Sequence, residues 1–324
     1  MTSPLAESRP WGLARLRVRW RARPQNHSRP VWALLIVLNV LPWPWGEDIL
    51  AGLFAVVGLV RPSRRRAAVA WAEAQATGHP WRLAAKLCAF RGRWVARRRL
   101  LGFRRPDELR QNLIVEGAEH LTAVSGAAII LGFHLGPSSG DLPFRILGYP
   151  VTFLGWSDRN AAIEWWSDAW RPFVEASPLS FAAGNRKRWS AVLYTARQTL
   201  LDGGKIYILA DGDGREAFRL PLSVGEWPIR AGWVTLHQLT GAPVLPLLHH
   251  LAGRRHVMTI HPPLPALPSD PPMGLEVWRD SLTRLLEDYV RRFPEQCPHL
   301  ALAQRWRRSP PTLTVDGEAV QIMP

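Results

Sequence analysis

With 324 residues the chain can bury one large core or two small ones, and the lack of any internal repeat excludes a solenoid. Its 41 Lys and Arg stand against 26 Asp and Glu, a net charge of +15, which implies an anionic partner: nucleic acid, an acidic membrane surface or a phosphate-bearing substrate. Cys88 and Cys297 are far apart in sequence, so neither a disulfide framework nor metal-ligand spacing is available, and a reducing compartment fits.

The 17 Trp weight the choice toward a membrane surface, because indole joins an apolar body to one N–H donor and settles where headgroups meet acyl chains. An anionic lipid surface is therefore the expected partner, and nucleic acid is not. Trp156 and Trp233 are read as core residues.

The chain opens with a basic arm, Arg9, Arg15, Arg17, Arg19, Arg21, Arg23 and Arg29, with no small-residue cleavage site after it. VWALLIVLNVL (31–41) and ILAGLFAVVGLV (49–60) are apolar on all sides, yet each falls short of the ~20 residues of a simple spanning helix. PWPWGED between them carries two prolines and two carboxylates, which predicts a broken or interfacial helical anchor. A buried helical hairpin is the other reading. Arginines on both flanks, Arg61 and Arg64 to Arg66 on the far side, place the anchor on the cytoplasmic face. From 65 to 112 the pattern is helical and basic, with arginines along faces suited to anionic headgroups.

After Pro106 the texture changes. AAIILGF (127–133), VTFLG (151–155), KIYILA (205–210), PVLPLL (243–248) and HVMTI (256–260) read as strands. Helical stretches alternate with them, one closed by Gly203 and Gly204 and another by Gly241. Unalternated apolar strands interleaved with helices predict an α/β fold: a single, mostly parallel sheet core flanked by helices. Trp278, Leu282, Leu285, Leu286, Tyr289 and Phe293 form a core-facing helical stripe. The expected organisation is a basic arm and apolar anchor over 1–62, an α/β domain over 63–308 and a loose tail over 309–324.

Three chemistries compete around AIILGFHLGPSSGDLPF (128–144). Gly136 to Gly140 satisfies G-x-S-x-G between a strand and a helix, which would make Ser138 a nucleophile, with Asp211 or Asp213 and His249, His250 or His256 following in hydrolase order. Alternatively His134 is a general base and Asp141 its partner: a neutral imidazole accepts the proton of an attacking hydroxyl, and a carboxylate on its other nitrogen fixes the tautomer. Pro143 supports a helix opening at Asp141. Third, Asp211 and Asp213 at a strand end could share a divalent ion, although no second acidic cluster or Gly-rich phosphate loop accompanies them. His249 and His250, neighbours on a strand, face opposite sides and do not share a ligand.

The segments in order resemble the lysophospholipid acyltransferase superfamily, in particular its lipid A biosynthesis (lauroyl/myristoyl) acyltransferase branch. The similarity runs from about 30 to 310 through LIVEGAEHL (113–121), the stretch around His134, GGKIYILADGDG (203–214), LPLSVGEWPIRAGW (220–233), TGAPVLPLLHH (240–250), LLEDYVRRFPEQC (285–297) and RWRRSPP. The family signature is His, four residues, then Asp or Glu. Here that position holds Ser139, and the acid, Asp141, stands two residues later.

The resemblance implies a membrane-bound acyltransferase at the cytoplasmic face of the inner membrane. It would move an acyl chain from a thioester of acyl carrier protein or coenzyme A, with no resident cofactor and no metal, to a hydroxyl of a lysophospholipid or lipid A-like glycolipid. His134 and Asp141 would be catalytic. Gly136, Ser139 and Asp211 would line the site, the Gly136 to Gly140 loop offering N–H groups to an oxyanion. Arg159 and Arg186 would take acceptor phosphate. The remaining alternatives are a serine esterase using Ser138 and a non-catalytic basic membrane-surface or nucleic-acid-binding protein on the same scaffold.

Overall fold

The structure is a computed structural model and describes residues 33–34, 36–38, 41–76, 78–100, 106–137, 142–156, 180–181, 186–211, 215–266, 271–302, 312–315 and 318–321. After helical residues at 33–34 and 36–38 come α1 (Trp43–Val60), α2 (Pro62–Ala74) and α3 (Pro80–Leu100). An α/β alternation succeeds them: α4 (Pro106–Gln111), β1 (Leu113–Glu116), α5 (Ala118–Thr122), β2 (Ala128–Gly132), α6 (Leu142–Ile146), β3 (Val151–Trp156), β4 (Ser180–Phe181), α7 (Arg186–Leu201) and β5 (Lys205–Leu209). The chain continues through β6 (Glu216–Leu222), β7 (Gly225–Arg230), α8 (Gly232–Thr240), β8 (Val244–Ala252), β9 (Arg255–Ile260), α9 (Pro271–Arg292) and α10 (Pro298–Leu302), the last two separated by a single 3-10 turn, Pro294–Gln296. Beyond them, in the stretch read as a tail, β10 (Thr312–Val315) and β11 (Glu318–Gln321) pair antiparallel.

The sheet runs β1-β9-β8-β2-β5-β3-β4. Every ladder in it is parallel except β8 with β9. A mostly parallel sheet flanked by helices is thus what the unalternated strands foretold. β2 is buried along its whole length, and its alternate side chains feed two cores. Ile129 and Leu131 join Ile206, Ile208 and Trp233 on one face, whereas Ala128 and Ile130 join Phe144, Tyr207, Leu247 and Met258 on the other. Trp233 stacks on Trp278 with ring centres 5.0 Å apart, two indoles spent on core rather than on a membrane. By contrast Trp45 and Trp81 are exposed.

The N-terminal helices correct two expectations. The break predicted across 42–48 is confined to Pro42 and its neighbours: α1 is continuous from Trp43, with Pro44 in its first turn where a missing N–H costs nothing. The carboxylates that argued against a continuous bilayer helix have partners. Glu47, 1% exposed, takes two bonds from Arg97, Nε to Oε1 at 3.0 Å and Nη2 to Oε2 at 3.1 Å. Asp48 reaches Arg93 and Arg254.

Helices α2 and α3 are core elements, their Ala68, Trp71, Leu83 and Leu87 all buried, rather than only basic faces laid on headgroups. α1 crosses α3 so closely that a Cβ at Gly92 would lie 2.3 Å from the Leu50 carbonyl oxygen. No helix among the described residues is long and apolar enough to cross a membrane.

Candidate active site

β2 and β5 are adjacent and parallel, with Gly132 opposite Leu209. The Ala210 N–H donates to the Gly132 carbonyl at 2.8 Å, so the register continues past the strand ends and sets His134 against Asp211. Strands ~4.8 Å apart carry side chains of equal register on one face, within contact. The His134 ring meets the Asp211 carboxylate accordingly, Nδ1 to Oδ1 at 2.9 Å, and the His134 backbone N–H donates to both carboxylate oxygens at 3.1 and 3.2 Å. The site lies at the carboxyl ends of parallel strands, beside β2, from which the chain crosses to β3 and β5 on one side and later to β8 on the other. Crevices form at such switch points.

Burial divides the labour. The Asp211 side chain is 1% exposed, that of His134 27%. Burial pushes the Asp211 carboxyl up, but the charge and hydrogen bond of His134, the charge of His299 and the His134 N–H outweigh it and hold the carboxyl below its ordinary range. An ionised carboxylate accepts only, so Nδ1 carries the ring proton and Nε2 is left basic. This is the arrangement of a general base.

The loop after His134 is fixed from behind. Gly136, at φ +59°, packs so tightly that a Cβ would sit 1.8 Å from the His249 carbonyl oxygen, and its N–H donates to the Gln296 carbonyl at 2.9 Å. Gln296 in turn exchanges two hydrogen bonds with the Leu251 backbone. The expectation that Gly136 offers its N–H to an oxyanion is therefore corrected: that N–H is already taken, and the glycine is required by packing. Directly after Gln296 and Cys297, α10 lays the ring of His299 on that of His134, centres 4.3 Å apart and planes 25° apart.

Asp141, Ser138, Ser139, Arg159 and Asp213 lie outside the described residues, as does the side chain of Arg186. Pro143 does fall in the first turn of a helix, α6. Asp211, expected as a lining residue, a triad acid or a metal ligand, holds the ring of His134. The histidines of the serine-hydrolase order do not reach it: His249 and His256 are wholly buried and bonded to each other at 2.9 Å, and His250 stacks on Phe293 from the opposite strand face. Sequence reasoning misses His299, because PHLAL carries no local mark of chemistry.

Ligand atoms of His134, Asp211 and His299 lie within 4.8 Å of one another, close enough to suggest a metal. The ring planes argue otherwise. An imidazole binds an ion in its own plane at ~2.1 Å, and two rings stacked nearly parallel cannot both aim at one ion at that length. The trio is a hydrogen-bonded pair with a ring lid.

No family model matches the sequence, and no curated protein matches it. Among solved structures the chain is similar to the crystal structure of the 1-acyl-sn-glycerophosphate (LPA) acyltransferase, PlsC, from Thermotoga maritima, with 15% sequence identity, 80% of this chain and 96% of that chain covered, and a TM-score of 0.36. At that identity and TM-score the superposition fixes neither family nor activity.

Proposed function

We propose that the protein is a membrane-surface acyltransferase that moves a fatty acyl chain from a thioester to a lipid hydroxyl. The observation that carries this reading is a His134 ring held by a buried Asp211 through Nδ1, with Nε2 left as base at a half-buried strand end. In the reaction Nε2 takes the proton of the acceptor hydroxyl as its oxygen attacks the thioester carbonyl. The carbon–sulfur bond then breaks, and the thiol leaves with a proton returned from the ring. Asp211 stabilises the transient imidazolium, the role that the sequence pattern suggested for Asp141.

The membrane part of the reading rests on α1. Trp45, Ile49, Leu53, Val56 and Val60, at helical spacing, are 42–70% exposed on one face. Arg61, Arg65 and Arg66 come next, on exposed positions. An apolar stripe ending in cations suits an anionic bilayer surface. Its place in the fold is apt, because Asp48 and Arg97 tie α1 and α3 to Arg254 in the β8–β9 turn. β8 runs parallel to β2, so that turn lies at the same end of the sheet as His134 and Asp211.

The acceptor is a lysophospholipid or a lipid A-like glycolipid and the donor a thioester of acyl carrier protein or coenzyme A, an acidic carrier agreeing with the charge of +15. The setting is the cytoplasmic face of the inner membrane. Mass spectrometry of membrane lipids from cells with and without the protein tests this. One lipid class should gain a single acyl chain with the wild type and not with His134→Ala. Identical lipid profiles in both cells would overturn it.

A further inference from the structure

The geometry points to His299 as a positioning residue for His134, an inference that rests on the reading of His134 as general base. A base must present Nε2 along one direction, and the Asp211 bond does not secure that by itself. A hydrogen bond at Nδ1 fixes one edge of the ring, while the torsion about Cβ–Cγ of an imidazole is broad. At 27% exposure the His134 side chain has open space on one side. A flat group laid on the ring face removes the rocking motion, and His299 lies there at 4.3 Å and 25°.

The stack is built into the fold. Gln296, which receives the Gly136 N–H, and Cys297 precede α10, so the loop bearing His134 and the helix bearing His299 are fastened to each other close to both rings. Pro298, Leu300 and Ala301 are buried around His299 and prevent α10 from sliding. A second full charge on the stacked ring would oppose the imidazolium that forms on His134 during transfer. An aromatic face at position 299 is therefore what the site needs, and a cation there is not.

The test compares wild type, His299→Ala, His299→Gln and His299→Phe in two measurements: kcat and KM for acyl transfer from a thioester to a lysophospholipid, and nitrogen-15 NMR of the His134 ring. Loss of the flat face in the Ala and Gln variants should lower kcat about 30-fold, with KM within twofold, because misdirection of a reacting group by a fraction of an ångström is that costly. The His134 ring signals should broaden in both. Phe should restore kcat to within threefold of wild type and sharpen the signals. Wild-type kcat with unchanged signals in Ala and Gln would overturn the inference, as would a Phe variant no better than Gln; the Gln–Phe comparison decides if Ala does not fold. Were no acyl transfer found at all, the acyltransferase reading would fall, and the ring signals alone would still decide whether His299 positions His134.

Discussion

Replacing Asp211 with Asn removes one charge and almost no volume, and the geometry of its donors dictates the result. Asp211 faces two donors of the same residue: Nδ1–H approaches Oδ1 at 2.9 Å, while the backbone N–H spans Oδ1 at 3.1 Å and Oδ2 at 3.2 Å. Asn has one oxygen. With its NH2 in the Oδ2 position, the oxygen keeps both donors, and the NH2 opposes the backbone N–H at 3.2 Å. With the amide turned over, the NH2 opposes the backbone N–H at 3.1 Å and Nδ1 as well, and the second clash is relieved only when the ring proton moves to Nε2.

The first arrangement wins: an opposed backbone N–H, at about 1–3 kcal/mol, burdens both, and only the first keeps the Nδ1–H bond. His134 then keeps Nε2 as its base but has no counter-charge for the imidazolium. Loss of a neutral hydrogen bond alone would slow transfer roughly tenfold. Loss of the buried counter-charge as well should slow it by about 10² to 10³. Single-turnover transfer of a labelled acyl chain measures the rate, and nitrogen-15 shifts of the His134 ring report the proton. An Asp211→Asn protein that works within tenfold of wild type, or moves the ring proton to Nε2, would refute the reasoning.

Other consequences are testable in the same material. Burial lowers His249 from 6.5 to about 3 and pushes His256 the same way. Above pH 6.5 both rings are neutral folded or unfolded, whereas below it the unfolded chain takes up protons that the buried rings refuse, for His249 down to about 3. Stability must therefore fall with pH, for His249 by about 1.4 kcal/mol per unit or about 2 kcal/mol by pH 5; His249→Gln should flatten that slope in urea melts, and an unchanged slope would contradict it. Removing one partner of the buried Glu47–Arg97 pair, as in Glu47→Ala, should cost about 3–5 kcal/mol in urea unfolding, while a loss under about 1 kcal/mol would mean that the pair is hydrated. The double change Leu53→Glu and Val56→Glu should weaken binding to anionic vesicles about a hundredfold in co-sedimentation and leave the far-ultraviolet spectrum intact, and undiminished binding would remove α1 as the membrane face.

The sheet was legible because strand signals are local. KIYILA and HVMTI coincide with β5 and β9 to within a residue, and the glycines marking two helix ends, Gly203 at φ +81° and Gly241 at φ +68°, adopt the left-handed conformation that terminates a helix. What local pattern could not supply was the partner of His134. Asp141 is near in sequence, but Asp211, 77 residues away, is near in register, because β2 and β5 are neighbours in the sheet although β3 and β4 separate them along the chain.

One clue to that pairing does stand in the sequence: His134 and Asp211 each lie two residues beyond a buried apolar strand, the position where parallel strands bring side chains together. The Glu47–Arg97 pair was hidden for the same reason. Two carboxylates amid apolar residues look like a break until distant arginines, known only from packing, complete them.

The most direct measurement is transfer of a labelled acyl chain from a thioester to a lysophospholipid in anionic vesicles by the purified protein, wild type against His134→Ala. The account predicts an acylated phospholipid from the wild type and a rate at least about a hundredfold lower when the ring is gone. Equal rates from the two proteins, or no acylated lipid from the wild type with either carrier, would contradict it.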